Sequence, residues 1–309
     1  MSGPVISRRQ LAGGGTAALA VALGPAAPAW AAPIRPQRVV SLFPCVDAIL
    51  LRIADPGQIA GLSRLAHEAE VSTVATAAGP YPSVGDNAEA LLALRPDLVV
   101  VSRYTARPTL QSLQRAGVRL LEVAPQLTVA DSLAQVQVVA EAIGQPGRGR
   151  ALTARILAAL DRAVPLASAS PSPGPSPGPS PAPFPWPHPR ALVFQNAGFV
   201  AGTGTLIDDM LRRTGFRNMA QSYGLKGFGD ISLERVVADP PDVLLAGVPR
   251  PGAPAWGDRV LRHPALLQLA GRMEIAAFPE GLLLCGGPVL LQTAPRLAAI
   301  RRRVARAGA

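Results

Sequence analysis

Residues 89–100, EALLALRPDLVV, recur in altered form at residues 234–245 as ERVVADPPDVLL. Each copy has a glutamate, then two branched apolar residues and an alanine, then a Pro-Asp pair, and finally an apolar run. A short helix that ends before the proline and a buried strand after it account for this order. Because the phrase occurs once in each half, the sequence predicts two similar lobes in which the two glutamates mark the same place.

The rest of the sequence alternates between the patterns of strands and helices. Near-continuous apolar runs predict buried strands, and prolines or cap residues mark where helices begin. We expect strands at 39–42, 58–62, 98–101, 118–123, 191–195, 243–246 and 273–277, and helices at 44–51, 88–94, 108–116, 149–164, 206–213, 233–238, 264–270 and from 288. This alternation predicts an α/β fold with two Rossmann-like lobes and mostly parallel sheets.

A long helix is predicted between the lobes. Residues 128–143 contain no glycine or proline, apolar residues recur there at helical spacing, and Thr128 can cap the start. We therefore divide the mature chain into an N-terminal lobe at 32–127, an inter-lobe helix at 128–144 and a C-terminal lobe at 145–309.

The first 31 residues have the features of an export signal. Ser7-Arg8-Arg9-Gln10-Leu11 is a twin-arginine start, a weakly apolar stretch follows, and Ala29-Trp30-Ala31 is an A-x-A cleavage site. The glycines and prolines of that stretch disfavour a transmembrane anchor, which needs roughly 20 strongly apolar residues. No cysteine lies at the cleavage site, so we expect no lipid anchor. The sequence thus predicts a twin-arginine signal peptide at 1–31 and a soluble protein exported to the periplasm.

Residues 165–189 form a proline-rich insert in the second lobe. Proline stands at nearly every other position from Ser168 to Pro189, a composition that excludes helix and sheet and favours an exposed polyproline-like loop. An inserted linker and a ligand for a proline-binding module both fit this composition.

The chain is strongly basic. It has 30 basic and 20 acidic residues, which give a formal net charge of +10. A protein of this charge can bind nucleic acid. Export and the lack of a base-reading motif argue against that partner, and we expect none. Anionic small molecules or a membrane surface suit the charge better.

Residues suited to catalysis are few. The histidines are His67, His188 and His263, and the chain has no nucleophile-elbow or zinc-protease motif. Cys45 could act as a nucleophile with His67.

The glycine-rich stretch at 194–211 could cradle a ligand, although its glycine spacing fits neither a Walker loop nor a dinucleotide fingerprint. We predict no catalytic residue, no cofactor and no metal site. An exported α/β enzyme using Cys45 or the glycine-rich loop stays open as an alternative.

Four stretches resemble the periplasmic substrate-binding proteins of ATP-driven importers for iron-siderophores, haem and cobalamin. They are RVVSLFPCVDAILLRIADPGQIAGLS (38–63), NAEALLALRPDLVVVS (87–102), FVAGTGTLIDDMLRRTGFRNMA (199–220) and SLERVVADPPDVLLAG (232–247). The vitamin B12-binding and ferric-hydroxamate-binding kinds are the most similar, and the resemblance covers nearly all of the mature chain except the proline-rich insert. It implies the helical-backbone periplasmic binding fold, in which one rigid helix joins two lobes and ligand binds in the shallow cleft between them.

In that family one glutamate on top of each lobe engages arginines of the membrane permease. Glu89 and Glu234 occupy the matching positions, which implies that each lobe docks on one subunit of a permease dimer in the inner membrane. The alternative explanation for each glutamate by itself is a first-turn acid that suits the helix dipole.

The resemblance also implies that the loops leaving the strand ends line the ligand cleft. The candidates are Phe43, Cys45, Tyr81, Arg103 and Tyr104 in the first lobe, and Gln195, Asn196, Phe199, Trp256, Leu283 and Cys285 in the second. Arg103 can pair with an anionic chelate or a propionate, or it can be a solvated turn residue. The family usually lines its cleft with tryptophan and tyrosine, whereas this chain is only 4% aromatic, so the resemblance does not name the ligand.

Cys45 and Cys285 are the two cysteines of the chain. An even count permits a disulfide in an oxidising compartment, but a separation of 240 residues leaves the pairing open. If both cysteines lie near the cleft, as the resemblance implies, a disulfide would join the lobes and restrict their hinge motion.

We therefore expect a monomeric periplasmic component of an ATP-driven importer. It binds an iron chelate (a siderophore or haem) or cobalamin and delivers it to the permease without chemistry of its own. The alternatives are the exported enzyme described above and a ligand sensor that works without a transporter.

Overall fold

The computed structural model describes residues 35–164, 188–195, 198–248, 263–269 and 272–307. All of them belong to one folded unit, 35–309. The predicted signal peptide and residues 165–187 of the proline-rich insert lie outside the described residues.

The first half of the chain builds a parallel sheet. Its strands are β1 (Val39–Ser41), β2 (Ile59–Ser63), β3 (Ser83–Val84), β4 (Leu98–Ser102) and β5 (Arg119–Val123). They lie in the order β3-β2-β1-β4-β5, and every neighbouring pair is parallel. The helices up to the start of the second sheet are α1 (Pro44–Ile53), α2 (Ala75–Ala78), α3 (Ala88–Ala93), α4 (Arg107–Arg115), α5 (Val129–Ala142) and α6 (Pro146–Ala163).

The second half builds a mixed sheet. Its strands are β6 (Arg190–Phe194), β7 (Phe199–Ala201), β8 (Arg217–Asn218), β9 (Phe228–Asp230), β10 (Val243–Ala246) and β11 (Glu274–Ala277). The order is β11-β10-β6-β7-β9, with β8 also paired to β6. The β6–β10, β10–β11 and β6–β8 pairs are parallel, whereas β7 is antiparallel to both of its neighbours. The helices are α7 (Leu206–Arg213), α8 (Leu233–Ala238), α9 (Pro264–Leu267) and α10 (Leu290–Ala307).

One layer of helices is shared by the two sheets. Val39 and Val100 of the first sheet belong to the same buried apolar cluster as Val193 and Leu245 of the second, together with residues of α1, α5, α6, α7 and α10. Alternate strand residues such as Val99 face the outer sides, where α3 and α4 cover the first sheet and α8 and α9 cover the second. Because the lobes share a large apolar core, wide relative motion of the lobes is disfavoured.

The helix α5 has clear signals at both ends. It starts at a capping box, in which Asp131 N–H donates to Thr128 Oγ1 at 3.0 Å and Thr128 N–H donates to Asp131 Oδ2 at 2.9 Å. Gly144 follows the helix with a φ of +70°, a left-handed conformation that favours glycine. The next helix, α6, packs so closely that a Cβ at Gly149 would lie 2.4 Å from the Cβ of Ala140 in α5.

The aspartates of the repeated phrase fasten the first strand of each lobe. Asp97 accepts hydrogen bonds from the N–H groups of Gln37 at 2.6 Å and Arg38 at 3.0 Å, directly before β1. Asp242 accepts one at 2.8 Å from the N–H of Arg190, the first residue of β6. Each aspartate directly precedes the strand that pairs with that first strand, β4 or β10. The phrase therefore has the same structural role in both lobes.

The predicted α/β class with mostly parallel sheets is confirmed, and the boundaries of the expected elements differ by a few residues. The sequence did not predict the antiparallel pair of β7 and β9. These strands are short and join distant residues, Phe199 opposite Asp230, so local periodicity carries no trace of their pairing. Among the described residues, no helix has both the length and the apolar composition needed to cross a bilayer.

Asp47 is a fully buried carboxylic acid in α1. Its Oδ2 accepts hydrogen bonds from the N–H of Ser63 at 3.2 Å and from the Ser63 hydroxyl, whereas Oδ1 has no partner within the described part of the chain. Burial raises the pKa of Asp47 to about 7, and hydrogen bonds from Ser41 and Ser63 offset this only in part. The group is therefore protonated in the folded protein below neutral pH.

We predict that Asp47→Asn stabilises the protein at pH 8 and has little effect near pH 4. The pKa rises from 3.8 to about 7 on folding, so between these values the folded state holds a proton that the unfolded chain has released. The free energy of unfolding then falls as the pH rises through this window, by about 1.4 kcal/mol for each pH unit. Urea unfolding of both proteins at both pH values measures the effect. An equal difference at the two values would contradict the assigned titration.

We also predict that Gly149→Ala destabilises the protein by about 1–3 kcal/mol, because the new methyl group forces α5 and α6 apart. The matched control is Gly147→Ala in the same helix, where a Cβ would have no atom within 4 Å. That control should be neutral or slightly stabilising. Thermal unfolding of both variants tests the close packing, and equal stabilities would contradict it.

Candidate functional site

An apolar cavity of about 470 Å³, which we call the second-lobe cavity, lies at the carboxyl ends of strands in the second sheet. It is lined by Val193, Gln195, Phe199, Ala201, Phe228, Glu280, Leu283 and Leu284. Ligands of open α/β sheets bind at this edge. The volume and the apolar lining with few polar groups are typical of a small-molecule site.

Two stacked phenylalanines form one wall of this cavity. The ring centroids of Phe199 and Phe228 are 5.5 Å apart, and the ring planes are 9° from parallel. The antiparallel pairing of β7 and β9 causes this stacking, because Phe199 lies opposite Asp230 and Phe228 is the diagonal neighbour on the same face. Phe199 is 41% exposed and Phe228 is 56% exposed, so both rings can still contact a ligand.

In the described part of the glycine-rich loop, residues 202–204 support this pair and donate their N–H groups to acceptors of the protein itself. A Cβ at Gly202 would lie 2.7 Å from the carbonyl oxygens of Leu225 and Gly227, so only glycine permits the approach. The N–H groups of Gly202 and Thr203 donate to these same two carbonyls. At the start of α7, Gly204 N–H donates to Asp208 Oδ2 at 3.2 Å. A carboxylate already occupies the position that a phosphate would need.

A smaller cavity of about 250 Å³, the first-lobe cavity, lies at the carboxyl ends of β1 to β4. It is lined by Leu42, Pro44, Ser63, Arg64, Leu65, Val84, Gly85, Asp86, Ser102, Tyr104 and Thr105. Its lining is more polar than that of the second-lobe cavity. Asp86 does not offer a free carboxylate, because its Oδ2 accepts a hydrogen bond of 2.6 Å from the N–H of Ala106.

A disulfide between Cys45 and Cys285 stands between the two cavities. The Cα atoms are 5.0 Å apart, and both residues are buried. Pro44, next to Cys45, lines the first-lobe cavity, and Leu284, next to Cys285, lines the second. The bond thus joins the walls of the two cavities and ties α1 to the segment that precedes α10. The alternative of a Cys45 nucleophile is wrong for this state, because a bonded sulfur has no thiolate.

The structure brings only part of the predicted cleft together. Gln195, Phe199 and Leu283 line the second-lobe cavity, and Tyr104 lines the first-lobe cavity. Neither cavity is lined by the other described candidates, which are Phe43, Cys45, Tyr81, Arg103 and Cys285. Asn196 and Trp256 lie outside the described residues.

The candidates that line neither cavity have other contacts, which for Cys45 and Cys285 is their disulfide. Phe43 and Tyr81 are half-buried against the shared core. Arg103 Nη2 donates to the hydroxyl of Tyr104 at 2.8 Å, and its guanidinium lies 4.9 Å from the centre of that ring. Arg103 therefore holds Tyr104, which is 70% exposed.

Sequence reasoning did not find Phe228 or Glu280 in the second-lobe cavity, nor Ser63 and Ser102 in the first-lobe cavity. One signal was available for Phe228, which stands between Gly227 and Gly229 in a turn-rich stretch. An apolar ring at such a place has little local packing. Its partner is Phe199, and only the pairing of β7 with β9 reveals that contact.

Glu89 and Glu234 occupy equivalent places in the two lobes. Each is the second residue of a six-residue helix, α3 or α8, and each is exposed. Both helices connect strands that run in the same direction, so each starts at the carboxyl edge of its sheet, where the cavities lie. Neither glutamate forms an ion pair within the described part of the chain.

Glu234 has a local reason to stay ionised. Hydrogen bonds from its own backbone N–H and from Ser232 lower its pKa, with a smaller contribution from the nearby His263. A negative charge is therefore maintained at the start of α8.

Comparisons with known proteins agree with this geometry. The family model described as periplasmic binding protein matches residues 39–270. A cobalamin-binding protein of Halobacterium salinarum is 24% identical over 218 residues, which are 69% of this chain and 54% of that protein. The chain thus spans about half the length of the curated relatives that it matches.

Solved structures share the fold. A periplasmic haem-binding protein from Pseudomonas aeruginosa matches with a TM-score of 0.65 and 25% identity over 86% of this chain and 92% of that one. The apo periplasmic haem-binding protein RhuT from Roseiflexus sp. RS-1 matches with a TM-score of 0.63 and 23% identity over 88% of this chain and 99% of that one. The resemblance found in the sequence is confirmed, and the chain belongs to the periplasmic binding protein family.

Proposed function

We propose that this protein is the periplasmic binding component of an ATP-driven importer, and that it carries haem, cobalamin or a ferric siderophore to a permease dimer. The observation that carries the proposal is the apolar second-lobe cavity at the carboxyl edge of its sheet, in a chain of the periplasmic binding protein family. The twin-arginine signal read from residues 1–31 would bring the protein to the periplasm.

The lining of the second-lobe cavity favours a large, partly flat cargo. Phe199 and Phe228 present ring faces, and Leu283 and Leu284 add aliphatic surface. Aromatic faces stack on conjugated rings and contribute about 0.5–1.5 kcal/mol beyond the apolar area they bury. Haem and the corrin of cobalamin both offer such a surface, and the similar proteins named above bind one or the other by their descriptions.

The protein binds this cargo without changing it. The sulfur of Cys45 is bonded to Cys285, and the N–H groups of Gly202, Thr203 and Gly204 in the glycine-rich loop donate to acceptors inside the protein. Within the described residues there is no group of three or more His, Cys, Asp and Glu side chains suited to hold a metal.

We predict that Phe228→Ala weakens cargo binding by about three- to tenfold, the loss expected for one stacked ring. Titration of the purified protein with haemin, cyanocobalamin and a ferric hydroxamate, followed by tryptophan fluorescence and visible absorbance, measures the dissociation constants. The matched control is Val138→Ala, since Val138 is a 46% exposed apolar residue of α5 that lines neither of the two cavities.

Equal losses in both variants would mean that the ring has no specific contact with the cargo. If the unaltered protein binds none of the three probes, the proposed cargo class is wrong.

We further propose that Glu89 and Glu234 dock the protein on the permease. The aspartate of each repeated phrase holds backbone N–H groups of a neighbouring strand. Each glutamate is exposed and forms no ion pair within the described part of the chain, and the hydrogen bonds of Glu234 are local, from its own N–H and from Ser232. Two anions at the same edge as the cavities can set the orientation in which the cargo meets the permease. Ion pairing with basic groups of the permease is the contact they suit.

We predict that the double variant Glu89→Gln, Glu234→Gln keeps its cargo affinity and fails to stimulate the ATPase of the reconstituted importer. Neutral side chains of the same size leave the helices intact but remove both charges. Each single variant should lose part of the stimulation, because each lobe would meet one permease subunit.

The control is Glu141→Gln, which removes an exposed acid from α5 and should not alter stimulation. Full stimulation by the double variant would overturn the docking assignment. A protein that binds cargo but stimulates no importer encoded in the same organism would favour the sensor alternative.

A further inference from the structure

The segment 280–287, EGLLLCGG, forms a wall of the second-lobe cavity through Glu280, Leu283 and Leu284. It has little regular structure beyond the 3-10 turns Glu280–Leu282 and Gly287–Val289. Three of its eight residues are glycines, which lose the most conformational freedom when they are ordered. This wall therefore needs external anchors to keep one shape.

Hydrogen bonds anchor both ends of the segment. Just before the segment, the N–H of Phe278 donates to the carbonyl oxygen of Ala246 at 2.7 Å. Within its first half, the carbonyl oxygen of Leu282 accepts a hydrogen bond of 3.1 Å from the hydroxyl of the buried Thr293. At its end, the N–H of Gly286 donates to Gln126 Oε1 at 2.7 Å, and the N–H of Gly287 donates to Ser132 Oγ. In the middle of the segment, Leu283 N–H donates to the carbonyl oxygen of Glu280 at 2.8 Å, which leaves Leu284 and Cys285 to be explained.

Leu284 and Cys285 lie between these anchors and have no hydrogen-bonded N–H group of their own within the part of the chain that the structure describes. Leu284 is 49% exposed and faces the cavity, so packing does not fix it either. Two contacts hold this stretch, namely the covalent bond from Cys285 to Cys45 and the packing of Cys285 with Ala48 and Val289.

Cys45 is a rigid attachment point. It is the second residue of α1, it is buried, and it packs with Ala48 and Val289 in a small apolar cluster. Its Sγ lies 3.5 Å from the carbonyl oxygen of Leu284. The contact with Cys45 therefore fixes the position of Leu284 relative to α1 of the first lobe. The residues next to Leu284 in sequence belong to the second lobe.

We propose that the Cys45–Cys285 disulfide is a positioning element of the binding site, which holds Leu283 and Leu284 in the shape that receives the cargo. This rests on the proposed function for the cargo itself, whereas the hold on the segment is a property of the protein alone. Reduction takes two electrons and two protons and yields two thiols, and a dithiol such as dithiothreitol supplies both while it closes to its own cyclic disulfide.

The first test needs no cargo. Hydrogen exchange of the full chain is compared with that of the double variant Cys45→Ala, Cys285→Ala, in which no thiol remains. We expect the amides of 280–287 to exchange about tenfold faster in the double variant, while those of β1, β4, β6 and β10 stay protected. Val289→Ala is the control, because it removes packing from the same apolar cluster and keeps the bond.

The second test measures the consequence for binding. Haemin and cyanocobalamin are titrated into the oxidised protein, the double variant and Val289→Ala. We expect the double variant to bind about tenfold more weakly, mainly through faster release, and the control to lose stability without losing affinity. If the oxidised protein binds cargo tenfold more tightly than the reduced protein, saturating cargo must also stabilise the disulfide. We therefore expect cargo to lower the reduction potential of the disulfide by about 30 mV, measured against a dithiothreitol couple, since a tenfold affinity ratio corresponds to that change in potential.

The outcomes separate the two proposals. Unchanged exchange at 280–287 in a folded double variant would overturn the positioning role and leave the bond with a purely stabilising one. Faster exchange with an unchanged dissociation constant would overturn it as well. Faster exchange in a protein that binds no probe in any form would support the hold on the segment and count against the proposed cargo.

Discussion

Parallel pairing of the central strands is the constraint on which the rest of the structure depends. Parallel neighbours must be joined by crossovers, so helices cover both faces of each sheet and the carboxyl ends of the strands collect at one edge. The cavities lie at that edge, and α3 and α8 start there because each runs back toward the next parallel strand. Topology therefore brings the two cavities, Glu89 and Glu234 to one side of the sheets.

The shared helical layer explains how two lobes can form one stiff unit. Alternate residues of both sheets pack on the same helices, and α5 and α6 approach closely at Gly149. Motion between the lobes would have to break this apolar core. Conformational changes are therefore easier in the loop segments that line the cavities than in the packed helices and sheets. The segment 280–287 is such a loop segment, and the disulfide ties it to α1 at Cys45.

Much of the fold was predictable from the sequence, and much of the site was not. The predicted spans 233–238 and 243–246 agree with α8 and β10, because proline, cap residues and an apolar run are local signals. Residues such as Gln195 and Phe199 were found because strand ends are predictable ligand positions. Phe228 was not, since its role arises from pairing with a strand far away in the chain. Arg103 could meet an anion or be a solvated turn residue by its sequence, and only the structure shows its hydrogen bond to the neighbouring Tyr104.

The sequence by itself determined that there are two related α/β lobes, and where the glutamates and aspartates of the repeated phrase stand, because these follow from short-range periodicity and turn chemistry. The tertiary structure alone decided that each aspartate fastens a neighbouring strand, that β7 and β9 stack two phenylalanines, and that Cys45 meets Cys285 across 240 residues. Contacts between residues far apart in the chain depend on which strands pair and how helices pack, and no local pattern records that choice.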